Sequence, residues 1–245
     1  MLLVIDAGNS YLKFALFDGP TLVTHRRCPN GVDIRQSIVD ARLPNVDAAV
    51  IGSVVPSSTP TLVDIVQALF DVDAYLPTSR DPAGIDVDYS PPGTLGIDRL
   101  ADAVAAAHFA GAPVIAVDMG TATTFNVVAA GPKFIGGAIA PGIGVLSEVL
   151  SSRAAQLPPV EMSRPPSAIA GNSIHALQSG LFYGYASMVD GMVRRLQAEL
   201  AVDSCPVIAT GGGATVELIA ECPSITRAEP YLTLHGLRNL YEARV

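Results

Sequence analysis

Two short segments of this chain combine an aspartate, a glycine and small polar side chains at the same spacing. The first, Asp6-Ala7-Gly8-Asn9-Ser10, lies between two apolar runs, which predicts a strand, a tight turn and a second strand. Glycine lets the backbone approach a ligand, and the short side chains can donate to phosphate oxygens. Asp6 is suited to holding a hydrated Mg²⁺, and Lys13 adds positive charge. The same residue types also form ordinary hairpin turns, so both interpretations stand here.

The second segment is Asp118-Met119-Gly120-Thr121, and it again joins two predicted strands, 114–118 and 123–129. Two copies of one phosphate-type turn, one in each half, indicate a duplicated α/β domain with a nucleotide between the halves. The predicted domains are residues 1–112 and 113–245. Strands that alternate with helices in both halves favour this α/β class.

A third segment, Leu95-Gly96-Ile97-Asp98-Arg99, lies where a long loop rich in proline and glycine, 77–96, enters a predicted helix. Asp98 is suited to act as general base on a substrate hydroxyl, and Arg99 to bind a carboxylate or phosphate. The structural alternative is a helix cap at Asp98, with Arg99 paired to Asp102. The residues alone favour the cap.

A glycine turn at 211–213 connects a predicted strand to a helix. Such a turn lets a nucleotide approach the backbone, and a tight strand–helix connection explains it equally well. The chain contains neither the P-loop pattern nor the G-x-G-x-x-G pattern, so those two nucleotide-binding classes have no support. The four histidines are scattered without the spacing of metal ligands.

Composition restricts the structural class of the protein and the partners it can bind. The 245 residues are 49% apolar and 16% charged, which predicts a compact globular protein with a sizeable core. No apolar run reaches the ~18 residues of a membrane span, and the amino terminus lacks the basic region of a signal peptide. Three widely spaced cysteines, without a C-x-x-C pair, favour a reducing cytoplasm and argue against a zinc site. The net charge of −8 argues against general nucleic-acid binding.

The periodicity predicts three strands at the start of each half, followed by helices and further strands. The predicted third strand covers 21–26, and Ser57 or Ser58 is the predicted cap of a helix that ends at Phe70. Asn172 is the predicted cap of a long helix that runs to Leu200. The other predicted helices cover 32–42, 98–109, 145–156, 214–221 and 232–243.

Taken together and in this order, the motifs resemble those of the type III pantothenate kinase family, within the acetate and sugar kinase/Hsp70/actin superfamily. The likeness spans nearly the whole chain, and the set is far more specific than any single motif. The segments that carry it are Asp6–Ser10, Tyr89 with Pro91-Pro92, Gly96–Arg99, Asp118–Thr124, Gly136–Gly142, Gln178-Ser179-Gly180, Tyr183-Gly184 and Thr210–Gly212.

The resemblance implies two related actin-like (ribonuclease H-like) domains with the nucleotide cleft between them. It implies ATP-dependent phosphorylation of pantothenate to 4′-phosphopantothenate, the first step of coenzyme A biosynthesis. Asp98 would be the catalytic base. The implied substrate-binding residues are Tyr89, Gly96, Ile97, Asp98, Arg99 and Ser173. The implied ATP-binding residues are Asp6, Ala7, Gly8, Asn9, Ser10, Tyr11, Leu12, Lys13 and Thr121.

The resemblance also implies Mg²⁺ with the nucleotide, a monovalent cation (K⁺ or NH₄⁺) at Asp118, and a homodimer. Ser10 and Ser173 stand where the family usually has threonine, so each keeps the hydroxyl and loses a methyl group. Two alternatives remain: a kinase for another small hydroxy acid or sugar, and a non-catalytic regulatory relative that binds nucleotide. The second would be expected to lack Asp98 or Asp118, and both are present.

Overall fold

The structure is a computed structural model that describes residues 1–81, 84–153, 157–158 and 160–244. The chain divides into two compact units. Unit 1 comprises Met1–His108 and Leu232–Val245, and unit 2 comprises Phe109–Tyr231.

Most strands lie at the predicted positions, but two short ones were not predicted: 86–87, inside the predicted loop 77–96, and 227–228. In chain order they are β1 (Leu2–Ala7), β2 (Tyr11–Asp18), β3 (Thr21–Pro29), β4 (Ala48–Ser53), β5 (Ala74–Tyr75), β6 (Asp86–Val87), β7 (Val114–Met119), β8 (Ala122–Ala129), β9 (Lys133–Pro141), β10 (Val207–Thr210) and β11 (Arg227–Ala228). The helices are α1 (Ile34–Asp40), α2 (Thr59–Phe70), α3 (Ile97–Ala110), α4 (Ile143–Arg153), α5 (Ser173–Glu199), α6 (Val216–Ile219) and α7 (Leu232–Ala243), with a 3₁₀ turn at Pro92–Thr94.

The two units repeat one strand order. In unit 1 the order is β3-β2-β1-β4-β5, with β1 antiparallel to β2 and parallel to β4. In unit 2 the corresponding order is β9-β8-β7-β10-β11, with β7 antiparallel to β8 and parallel to β10. This confirms the predicted α/β class with two related halves, each built on a mixed sheet.

Unit 1 covers its sheet with helices on both faces. On one face, Leu3, Ile5, Phe14 and Leu16 are fully buried in a cluster that includes residues of α1 and α2. The other face carries Asp6 and, beside it on β4, Gly52. A Cβ at Gly52 would overlap the side chain of Leu237, so α7 packs against this face. β1 is buried on both faces, which explains its continuous apolar sequence.

The last helix is the main difference between the predicted domains and the compact units. The predicted boundaries, 1–112 and 113–245, assign α7 to the second domain, whereas its apolar side packs in unit 1. Position in the chain does not indicate which sheet an amphipathic helix will cover. The boundaries 1–112 and 113–245 remain a prediction, and the compact units differ from them mainly in the placement of α7.

Three local predictions were wrong in detail. Ser58 precedes α2 but forms no side-chain cap, because its backbone is helical and Pro60 has no N–H to donate. α6 is a single turn, Val216–Ile219, rather than the predicted 214–221. It starts late because Thr215 is its cap, whose side chain accepts a hydrogen bond from the Leu218 amide. β3 continues to Pro29 instead of ending at Arg26. The predicted end of one helix, Gln156, lies outside the described residues.

The capping of α5 was predicted correctly, because the Asn172 side chain accepts a hydrogen bond from the His175 amide. Among the described helices, none has the length and apolar character needed to cross a membrane.

Candidate active site

The turn between β1 and β2 is closed by backbone and side-chain hydrogen bonds. The Gly8 amide donates to the carbonyl of Tyr11 at 3.0 Å. Asn30, beyond the end of β3, donates from its side chain to the carbonyls of Gly8 at 3.0 Å and Asn9 at 2.7 Å. The backbone N–H of Asn30 also donates to the Ser10 carbonyl at 3.0 Å. Asn30 therefore fixes the shape of the predicted nucleotide turn, a role that the sequence alone did not indicate.

Asp6 and Lys13 form an ion pair across the base of this turn. They are directly opposed on β1 and β2, and Lys13 Nζ lies 3.2 Å from Asp6 Oδ2. Asp6 is only 7% exposed, so a nearby cation is needed to offset the cost of burying its charge. The pair places one negative and one positive side chain next to each other near the carboxyl end of β1.

Asp98 lies in the first turn of α3. Its Oδ1 accepts a hydrogen bond from the Arg99 amide at 2.8 Å. A Cβ at Gly96 would lie 2.5 Å from that oxygen, so glycine makes room for the carboxylate. Burial and, to a smaller extent, the charge of Asp6 raise the pKa of Asp98, against the opposing effect of the Arg99 amide. A carboxylate with a raised pKa is better matched to general-base work.

Arg99 and Tyr89 are brought together beside Asp98. Arg99 is 7% exposed, and its Nη1 donates to the Tyr89 hydroxyl at 3.4 Å. The guanidinium carbon lies 5.7 Å from the centroid of the Tyr89 ring. A buried guanidinium held in this way is suited to binding a carboxylate or phosphate group.

The back of α3 is fixed by α7. Asp102, 1% exposed, accepts a hydrogen bond from the Thr233 hydroxyl at 2.8 Å. A Cβ at Gly236 would overlap the carbonyl of Ala101, so the two helices are in close backbone contact. This packing holds the first turn of α3, with Asp98 and Arg99, in a defined position.

Unit 2 places Asp118 at the corresponding point of its own sheet. The neighbours of Asp118 on the adjoining strands are Thr124 of β8 and Thr210 of β10. Gly211 has a φ of 92°, and a Cβ there would overlap Asp118 Oδ1. The glycine turn after β10 therefore makes room for this carboxylate, a role that the sequence did not distinguish from a tight connection.

A buried pair of hydroxyl groups lies near Asp118. Thr123 Oγ1 is 2.6 Å from the Tyr185 hydroxyl and 3.2 Å from the carbonyl of Pro141. Burial raises the pKa of Tyr185 to about 12, and the charge of Asp118 adds to that effect. Tyr185 therefore keeps its proton at neutral pH. No local sequence pattern connects this tyrosine with Asp118.

The side chains of the remaining predicted site residues are buried in some cases and exposed in others. Ala7, Leu12 and Ile97 turn their side chains into the core, so their backbones are the groups that a ligand could contact. Ser10 and Thr121 are exposed. Ser173, also exposed, is the predicted substrate residue of unit 2 and opens α5 directly after Asn172.

The acidic and histidine side chains of the described residues form no group of three or more that could hold a metal ion. Asp6 can still serve Mg²⁺, because that ion keeps several waters and takes further oxygens from nucleotide phosphates. Asp118 has a threonine on each neighbouring strand, Thr124 on β8 and Thr210 on β10.

The sequence model of the family described as type III pantothenate kinase matches residues 2–195. The chain belongs to this family. A type III pantothenate kinase of Roseiflexus castenholzii is 42% identical over 99% of this chain and 98% of its own length. One from Streptomyces coelicolor is 39% identical over 100% and 99%. Both of these relatives thus align with the chain over nearly their full length.

Solved structures with low sequence identity share the fold of this type III pantothenate kinase family member. Component A of (R)-2-hydroxyglutaryl-CoA dehydratase from Acidaminococcus fermentans matches with a TM-score of 0.59 and 14% identity, over 100% of this chain and 99% of the other. The ROK hexokinase of Thermus thermophilus matches with a TM-score of 0.51 and 14% identity, over 98% and 97%. The actin-like α/β fold predicted from the motifs is thereby confirmed.

Proposed function

We propose that this protein transfers the γ-phosphoryl group of ATP to the primary hydroxyl of pantothenate, giving 4′-phosphopantothenate in the first step of coenzyme A biosynthesis. Family membership over the full chain supports the reaction and its substrates. The observation that carries the mechanism is Asp98, a carboxyl of raised pKa beside the Asp6–Lys13 pair. The protein is therefore an enzyme, a phosphotransferase with an alcohol acceptor.

Phosphoryl transfer depends on positioning and charge neutralisation more than on covalent chemistry by the protein. Asp98 takes the proton of the pantothenate hydroxyl while its oxygen forms the new bond to phosphorus. The bond from phosphorus to the bridging oxygen of ATP breaks, and ADP leaves. Arg99 and Tyr89 bind the acceptor, and the turn 8–10 with Lys13 binds the nucleotide phosphates. Mg²⁺, when bound, neutralises phosphate charge, and Asp6 is the residue that would hold it.

The monovalent cation forms a separate part of the proposal. Asp118 would bind K⁺ or NH₄⁺ together with neighbouring oxygen atoms, while Thr121 and the adjoining turn bind the nucleotide. Support comes from the Gly211 turn, which gives the Asp118 carboxylate its space, and from the hydroxyls of its strand neighbours. The chemistry is that of a hard cation with oxygen ligands.

We further propose a cytoplasmic homodimer that needs neither a membrane nor a nucleic acid. An exposed row of small residues on α5, Ala176, Gly180, Gly184 and Ser187, supports the close approach of a second copy. The three cysteines, all free and buried, are consistent with a reducing compartment. Replacing Gly184 by tryptophan should produce a monomer in sedimentation analysis. A dimer that persists in that variant would place the interface elsewhere.

The reaction is tested by mass spectrometry of products formed from Mg·ATP and a panel of hydroxy acids and sugars. The proposal expects phosphopantothenate as the dominant product. Phosphorylation of a different acid or sugar in place of pantothenate would show that the enzyme is a kinase with another substrate. Nucleotide binding without any transfer would favour a non-catalytic regulatory protein.

A further inference from the structure

Arg27 lies in line with the charged pair of the candidate site. Asp6 on β1 is directly opposite Lys13 on β2, and Lys13 is directly opposite Arg27 on β3. Residues that are directly opposed on neighbouring strands project from the same face of a sheet. One acidic and two basic residues therefore form a row across three strands, on the face that carries Asp6.

The Arg27 guanidinium is held in place by an aromatic ring. Its central carbon lies 3.5 Å from the centroid of the Tyr11 ring, and Tyr11 is the first residue after the turn 8–10. Stacking on a ring face leaves the N–H groups at the edge of the guanidinium able to donate. The stacking thus fixes Arg27 close to the turn and leaves its N–H groups able to donate.

The charges in this row are not equivalent. Lys13 is engaged by Asp6 at 3.2 Å, so much of its charge serves to offset a buried carboxylate. Arg27 is exposed, and among the residues that the structure describes it forms no ion pair with a carboxylate. Its positive charge therefore remains available for an anion that enters beside the turn.

We propose that Arg27, stacked on Tyr11, is a further binding residue for the polyphosphate of the nucleotide. This inference rests on the proposed kinase function and assigns a contact that complements Lys13 and the turn 8–10. The shared chemistry is recognition of an oxyanion, and the position of Arg27 beside the phosphate turn selects the nucleotide over the carboxylate of pantothenate. Tyr11 acts as the support that orients the guanidinium.

Arg26 provides a matched control on the same strand. It is also exposed, but it is opposite Phe14, whose side chain belongs to the cluster on the other face of the sheet. Arg27→Gln and Arg26→Gln therefore remove the same charge from adjacent positions on opposite faces. Both sites are exposed, so both variants should keep the melting temperature of the parent protein.

The experiment measures the KM for ATP and for pantothenate, and the Kd for Mg·ADP by calorimetry without pantothenate. Arg27→Gln should raise the KM for ATP and the Kd for Mg·ADP about tenfold, which corresponds to about 1.4 kcal/mol. The KM for pantothenate should stay within about twofold, and Arg26→Gln should change neither constant by more than about twofold. Arg27→Lys should recover only part of the affinity, because an ammonium group neither stacks nor binds as a fork.

Equal effects of the two glutamine variants, or an effect of Arg27→Gln confined to pantothenate, would overturn the inference. Weaker Mg·ADP binding by Arg27→Gln in a protein that fails to phosphorylate pantothenate would support Arg27 and overturn the proposed function. If Arg27→Gln leaves Mg·ADP binding unchanged while the parent protein phosphorylates pantothenate, the proposed function is supported and the role of Arg27 is overturned.

Discussion

The two Asp-x-Gly turns occupy equivalent positions in equivalent sheets, yet their electrostatic surroundings differ. Asp6 is opposite a lysine and forms an ion pair with it, whereas Asp118 is opposite Thr124. On the parallel strand, Asp6 adjoins Gly52 and Asp118 adjoins Thr210. The carboxylate of the first turn thus faces a basic strand neighbour, whereas the strand neighbours of Asp118 are both threonines.

Hairpin length contributes to this difference. The turn of unit 2 is one residue shorter than that of unit 1, as the registers of the two strand pairs show. A shift of one residue along a strand exchanges the face from which a side chain projects. A duplicated turn can therefore acquire a different chemical role while the strand order remains the same. The comparison predicts that unit 1 carries the proton transfer and unit 2 the cation response.

The largest effect is expected from Asp98→Asn. Removing the base should lower kcat about 1,000-fold, while Mg·ADP affinity and the fold are retained. The exposed Asp64 on α2 offers a control, since Asp64→Asn should leave kcat unchanged. Near-normal turnover in Asp98→Asn would place the base at another residue.

Asp118→Asn should act on the cation rather than on the proton. We expect the K⁺ concentration for half-maximal activity to rise roughly 100-fold, because the variant removes the charged ligand. The measurement is a K⁺ titration of activity at saturating ATP and pantothenate, with Asp98→Asn run in parallel. A K⁺ response identical to that of the parent protein would locate the cation elsewhere.

The pH profile should report the raised pKa of Asp98. As pH falls through that pKa the base is protonated, so kcat/KM should decline about tenfold per pH unit, starting above the range of an ordinary aspartate. Between the ordinary and the raised pKa the folded state binds more protons, so this group makes stability fall as pH rises. Asp98→Asn should therefore melt at a higher temperature than the parent protein at neutral pH. A lower melting temperature would contradict this sign.

Lys13→Met should affect both stability and nucleotide binding. Leaving Asp6 buried without its ion-pair partner should lower the free energy of unfolding by about 2 kcal/mol, and the KM for ATP should rise. Denaturant unfolding of the single variants and of Lys13→Met combined with Asp6→Asn measures the coupling. If the two effects on stability are simply additive, the ion pair contributes nothing.

The smallest effect is expected from Tyr185→Phe. Loss of the buried hydrogen bond to Thr123 should lower the free energy of unfolding by about 1 kcal/mol. Because the hydroxyl lies near Asp118, the K⁺ response should weaken slightly while the KM for pantothenate stays constant. A pantothenate effect without a K⁺ effect would separate Tyr185 from the cation site.

The sequence indicated the parts of the fold and site that depend on local patterns. Apolar runs separated by glycine turns located β1, β2, β7 and β8, and the asparagine cap located the start of α5. The turns at Asp6 and Asp118 were recognisable for the same reason.

Features that depend on residues far apart in the chain could not be predicted in this way. Asn30 closes the turn at Gly8, and Thr233 bonds Asp102 across 131 positions of sequence. Neither pairing has a local pattern, because each arises only when the strands and helices pack. The place of α7 in unit 1 and the difference between Arg26 and Arg27 likewise depend on strand register and packing.

The most direct test of the account is ADP release by the parent protein with Mg·ATP and pantothenate, measured first in K⁺ and then in Na⁺. The account predicts release that depends on pantothenate in K⁺ and collapses in Na⁺. Equal release in both salts would contradict the cation role of Asp118. Folded protein that releases no ADP with pantothenate in either salt would contradict the proposed function itself.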